Sequence, residues 1–173
     1  MNVNAIIVTL SLAAAISSCG EDKQEKPIPE WNNDKSAELN EDLAMEEELD
    51  IRMYLAQHEN WKVVETGTGL RFVDLKAGEG ASPEPGQDAK VEYSISLLDG
   101  TECYRTAKDE LDVFRVDNSE MESGIHEGIK LMKVGGRAKL IFPSHLAHGL
   151  VGDLDKIPPL SPLVVDIKLI ELE

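Results

Sequence analysis

From residue 60 onward the apolar residues recur at every second position, a period that suits a pleated strand and no helix. Val91, Tyr93, Ile95 and Leu97 alternate with Glu92, Ser94 and Ser96, and Leu163, Val165, Ile167 and Leu169 alternate in the same way with Asp166 and Lys168. Asp99-Gly100 follows the first run and predicts a two-residue hairpin into a strand from Thr101 to Arg105. Leu70–Lys76, Leu111–Val116 and Arg137–Phe142 are further strands on the same grounds. Between them, Glu120–Met132 places Ile125, Ile129 and Met132 at helical spacing and ends near Gly135-Gly136. Many strands and one short helix over residues 61–173, about one domain's worth of chain, imply an α+β fold in which an antiparallel sheet wraps on that helix.

A second helix is expected before this domain. Leu39, Leu43, Leu49, Ile51, Tyr54 and Leu55 fall among strong helix formers, with Ser36 as N-cap and an end near His58. Ile51, Tyr54, Leu55 and His58 form one stripe, which predicts packing against the following domain. Residues 20–35, with Pro27, Pro29, Asn32 and Asn33, bury too little to offset ordering entropy and read as a flexible spacer. The chain carries 17 Lys+Arg against 33 Asp+Glu, a formal charge of −16, and thirteen of the acids fall between Glu21 and Asn60 against four bases. Like charge keeps such a tether extended, with an electrostatic recognition element as the rival reading. That balance offers no basic surface for phosphates, so no nucleic-acid partner is expected. Two cysteines, Cys19 and Cys103, make no disulfide framework and have no zinc-ligand spacing.

The first 18 residues contain no charged side chain and hold an apolar run from Ala5 to Ile16, too short to span a bilayer but suited to a signal peptide. Ile16-Ser17-Ser18-Cys19 then resembles the bacterial lipobox, which implies cleavage after Ser18 and acylation of Cys19. Two acyl chains at ~0.8 kcal/mol per buried methylene hold a protein to a membrane without a spanning helix. The alternative is a plain secretory peptide that leaves Cys19 as a surface thiol. Gly20 lacks the Asp associated with inner-membrane retention, which by resemblance favours the outer membrane, on either face. The chain thus divides into a signal segment 1–18, a lipidated acidic tether and helix 19–60, and a domain 61–173.

Three blocks carry a second resemblance: PGQDAKVEYSISLLDGT (85–101), EGIKLMKVGGRAKLIFPSHLAHG (127–149) and KIPPLSPLVVDIKLIELE (156–173). In order and spacing they resemble the signature blocks of the FKBP-type peptidyl-prolyl isomerases. The helix followed by TGTGLRFVDLKAGEG (66–80) is similar to envelope lipoproteins of that family, gliding-motility-associated ones included. The resemblance implies an FKBP-like sheet around a short helix, an activity on Xaa-Pro amides of exported proteins, and no cofactor.

It also implies a site. Tyr93 matches the strand tyrosine of the pocket wall, Phe114 a wall phenylalanine, Ile157 the isoleucine before Pro-Pro, and Ile125 the floor, where the family commonly has tryptophan. Met121 and Glu122 take the places of the aliphatic pair that meets substrate through a side chain and a backbone N–H. His148 replaces a tyrosine whose hydroxyl would reach a substrate carbonyl, and an imidazole N–H offers the same donor and a pH dependence. Cys103-Tyr104 stands in place of Phe-Asp, so the acidic pocket residue is missing; Asp112 replaces another aromatic and Val165 a phenylalanine. These departures predict a looser, more polar pocket. Periodicity alone makes Tyr93, Phe114, Ile125 and Val165 ordinary core residues. His126, His145 and His148 are surface or pocket histidines rather than a metal cluster, having no carboxylate or cysteine at ligand spacing. Two rival functions remain open: a proline-binding chaperone that does not accelerate exchange, and a scaffold of an envelope machine.

Overall fold

The computed structural model describes residues 32–173, so the signal segment, Cys19 and most of the spacer lie outside the described residues. The chain runs α1 (Asn33–Ala56), β1 (Val63–Glu65), β2 (Arg71–Lys76), β3 (Asp88–Leu97), β4 (Glu102–Arg105), β5 (Asp112–Arg115), α2 (Ser123–Ile129), β6 (Arg137–Phe142), a 3-10 turn (Ser144–Leu146) and β7 (Leu163–Leu172). All strands join one antiparallel sheet in the order β1-β2-β6-β7-β3-β4, and β5 pairs with β3 beside them. This is the expected α+β architecture.

Register explains the core. Phe72, Leu140, Val165 and Ile95 lie opposite one another across β2, β6, β7 and β3, as do Ala138, Ile167 and Tyr93 one step along. The first four are buried in one cluster with Ile125 and Ile129 of α2. The helix sits so low on this face that it has glycine where it meets the sheet. A Cβ at Gly124 would lie 2.6 Å from the Phe142 ring, and one at Gly128 would enter Leu140. The opposite face is dry as well over part of its area: Val73, Ile141 and Val164 pack around Ile51 of α1, with Tyr54, Leu55 and Trp61 at the margin. The Ile51 stripe is therefore the docking face expected. His58 continues it by stacking on Trp61 at 4.0 Å.

Three local expectations are corrected. The first helix starts at Asn33, not after Ser36, because the Asn32 side chain accepts the Lys35 N–H at 2.9 Å. Ser36 instead sits inside the helix, its hydroxyl bonded back to the Asn32 carbonyl. The second helix spans seven residues rather than 120–132; after Ile129 the chain closes with shorter bonds, Leu131 N–H to Gly128 O and Met132 N–H to Ile129 O. The Asp99-Gly100 hairpin has a three-residue loop. Gly100 N–H returns to Leu97 O while Leu97 N–H reaches Thr101 O, and Gly100 at φ 88° supplies the left-handed residue that this loop needs. Among the described residues no helix is long and apolar enough to cross a membrane.

Candidate active site

A cleft of about 360 Å³ opens where the end of α2 that begins at Ser123 meets β3 and β4. Tyr93 and Ile95 reach it from β3 and Tyr104 from β4; Glu120, Met121 and Glu122 come from the segment before α2, His148 from just after the 3-10 turn, and Asp153 from the loop before β7. Strand alternation turns Tyr93 and Ile95 to the same face, and the antiparallel return of β4 sets Tyr104 beside Ile95.

The ten sequence-derived pocket residues divide into two groups. Tyr93, Tyr104, Met121, Glu122 and His148 line the cleft. Phe114, Ile125, Ile157, Val165 and Cys103 are buried in the core cluster against which Tyr93, Tyr104 and Met121 pack. They shape the cleft from behind. Cys103 in particular is 3% exposed, with Sγ 3.6 Å from the Lys156 carbonyl, so it does not form part of an open wall.

The acid missing at position 104 reappears elsewhere. Asp112 of β5 accepts a hydrogen bond at 3.0 Å from the Thr106 hydroxyl, and the same hydroxyl oxygen accepts the Tyr93 backbone N–H at 3.0 Å. The main chain of Tyr93 is thereby tied through Thr106 to this carboxylate. Burial first, then the negative charges of Asp112 and Glu122, push the Tyr93 phenol up to about 12. Sequence reasoning missed this role because it depends on β5 folding back on β3, which sets Asp112 opposite Val91.

The Cys103-Tyr104 pair has a second use. The Tyr104 hydroxyl donates to Asp153, whose other oxygen accepts the N–H groups of Asp155 at 2.9 Å and Ile157 at 2.8 Å. Burial works against this carboxylate, but the Tyr104 hydroxyl and these backbone donors hold it well below the usual range. In return the bond to Asp153 pushes the Tyr104 phenol up to about 12. Lys156 lies over the Tyr104 ring at 4.7 Å, completing the anchor of this loop on β4.

His148 Nε2 lies 3.1 Å from Glu122 Oε1. An ionised carboxylate only accepts, so the proton sits on Nε2 and points at Glu122. The expected donor to a substrate carbonyl is thus engaged within the protein. His126 is used structurally: its Nδ1 accepts the Asp117 N–H at 3.0 Å and its ring meets Phe114 edge-on at 5.4 Å. His145 is exposed, with Nε2 3.1 Å from the Thr68 carbonyl.

A sheet closed over one short helix, with a tyrosine-walled cleft at the helix start, is the architecture of a class that handles peptides by shape. The chain belongs to the FKBP-type peptidyl-prolyl cis-trans isomerase family, which residues 79–170 match. It is similar to FkpA of Escherichia coli K12, 32% identical over 161 residues that cover 92% of this chain and 53% of that one. It is also similar to Fkbp12 of Drosophila melanogaster, 34% identical over 108 residues, 61% of this chain and 99% of that one. The probable FkpA of Neisseria meningitidis is 36% identical over 107 residues, of which this chain spans 39% of the relative's length. Among solved structures, FkpA from Escherichia coli superposes with a TM-score of 0.67 at 32% identity, covering 80% of this chain and 64% of that one.

Proposed function

We propose that this protein is a peptidyl-prolyl cis-trans isomerase acting on proline-containing segments of exported proteins at the bacterial envelope, held there by lipid on Cys19. The observation that supports the reading best is the cleft beside α2, with Tyr93 on its wall and its backbone N–H held by Thr106. A planar peptide bond resists rotation by ~18–20 kcal/mol because twisting breaks C–N resonance. The planar form carries separated charge that water stabilises. Enclosing the prolyl ring between Tyr93, Ile95 and Met121 removes that water, so the twisted amide binds better than either planar isomer. The Glu122 backbone N–H and the His148 imidazole are the donors for the substrate carbonyls, His148 turning from Glu122 as substrate enters. No covalent step and no cofactor are involved.

The test is cis/trans exchange of short Xaa-Pro peptides by NMR, with the full chain and with Tyr93→Ala. Acceleration that the variant loses is expected; unchanged exchange at micromolar protein across several residues before proline would sink the proposal. The engaged state of His148 favours one second reading, a proline-binding module, and peptide shifts without acceleration would mark it. For the anchor, mass spectrometry of the membrane fraction should find acyl chains on residue 19, and Cys19→Ser should release the protein. The outer membrane is the proposed location, and kinship with gliding-motility lipoproteins is part of the same proposal.

A further inference from the structure

Glu47 is one of two residues that α1 buries, in a helix otherwise turned largely to solvent. A carboxylate leaves water only when its oxygens are satisfied. Here one residue satisfies both: the Ser144 N–H donates to Oε2 and the Ser144 hydroxyl to Oε1, each at 2.6 Å. Glu47 is 8% and Ser144 4% exposed, so the pair is shielded from solvent. Ser144 opens the 3-10 turn, and Pro143 before it has no N–H to offer.

What Ser144 holds in turn is the reacting end of the loop. Its carbonyl accepts the N–H of Ala147 and that of Gly149, both at 2.8 Å, the residues on either side of His148. From the other side, the Ser123 hydroxyl at the start of α2 donates to Leu146 O at 3.1 Å, and His148 itself meets Glu122. The His148 loop is gripped by a helix on each flank. Only one of those helices lies within residues 79–170, the span that matches the family.

We propose that Glu47 is a positioning residue that sets His148 in the cleft through Ser144, which makes α1 part of the isomerase site rather than a mere attachment. The inference rests on the isomerase reading for its kinetic consequence and on geometry alone for its structural one. Glu48, the next residue, supplies the control, because its carboxylate accepts hydrogen bonds from Arg71 on β2 and Arg52 on its own helix and none from the loop.

The experiment compares the full chain with E47A, E47Q and E48A by Xaa-Pro exchange, by the His148 imidazole NMR resonances, and by thermal midpoint. E47A is expected to lower kcat/KM about tenfold, mainly in kcat, for a displacement of a fraction of an ångström. It should also shift the His148 resonances. E47Q keeps one oxygen for the Ser144 N–H and should recover part of both. E48A should lower the midpoint while leaving exchange and His148 unchanged. Should E47A fail to fold, S144A, which deletes only the hydroxyl donor, takes its place with a smaller expected loss that does not add to that of E47Q. A folded E47A with wild-type rate and unmoved His148 resonances overturns the proposal, as does an E48A variant that loses activity and shifts His148 to the same extent. If the unmodified chain accelerates nothing, the isomerase reading falls, while the His148 resonances still decide the positioning.

Discussion

Replacing Gly124 with alanine sets backbone preference directly against packing. Alanine is favoured over glycine in a helix by ~1 kcal/mol, so helix propensity alone predicts a more stable protein. The added Cβ would stand 2.6 Å from Cγ of Phe142 and 2.7 Å from both Cδ atoms, where ordinary contact begins near 3.4 Å. Phe142 is fully buried, at the end of β6 opposite Leu163. The start of α2 must then rise by roughly 0.8 Å, and overpacking of that kind costs about 1–3 kcal/mol. Set against that gain, net destabilisation of up to about 2 kcal/mol, or up to about 6 °C in thermal midpoint, is expected. The lift also carries Met121 and Glu122 away from His148, whose bond to Glu122 is already 3.1 Å. Since misplacement by about 1 Å can cost ~100-fold, Xaa-Pro exchange should fall at least about tenfold at a temperature where the variant is folded. Urea denaturation and NMR exchange read the two effects, with Gly67→Ala, which meets nothing within 4 Å, as the neutral control. A Gly124→Ala protein as stable as the original and equally active would refute the close packing of α2.

Asp112→Asn should bring the Tyr93 phenol down from about 12, because the carboxylate's charge opposes its ionisation; a tyrosinate titration followed by ultraviolet absorbance checks it, and an unchanged midpoint would count against that influence. Burial pushes the Cys103 thiol up, so maleimide labelling should be slow in the native protein and fast in urea, and equal rates would contradict the burial. The Asp166 carboxyl, despite burial, is held below its ordinary value by hydrogen bonds from Arg137 and Lys139. A carboxyl whose folded pKa is lowered contributes stability above its unfolded value, near 3.8, and loses it as pH falls further. Thermal midpoints should therefore hold from pH 7 to about 5 and drop below about 4. Asp166→Asn should blunt that drop, and an identical acid limb in the variant would remove Asp166 as a cause.

β3 and β7 were legible because apolar and polar residues alternate along them, and the blocks 85–101 and 127–149 hold Tyr93 and His148, which line the cleft. What escaped reading depended on distant partners. Asp112 looks like a lost aromatic until β5 returns along β3 and ties its carboxylate through Thr106 to Tyr93. Glu47 is one acid in a run of three, and nothing in a charged helix tells which of them turns inward to Ser144, 97 residues away. Ser36 and Asn32 are comparable caps by type, and only the backbone decides between them. His148 lines the cleft, and its contact with Glu122, 26 residues away in the chain, is visible only in the fold.

The sheet order also bears on when the chain can fold. β7 lies between β6 and β3, so the two halves of the sheet are joined through the strand made last among the described elements. Until residues 163–172 are synthesised, β3 and β6 have no common neighbour, and the rows that will become the interior stay open to water and to other chains. Closure is thus a late, long-range event that completes both dry faces at once, since β7 gives Val165 to the α2 side and Val164 to the α1 side. A chain with this sheet order can complete neither dry face before β7 is made.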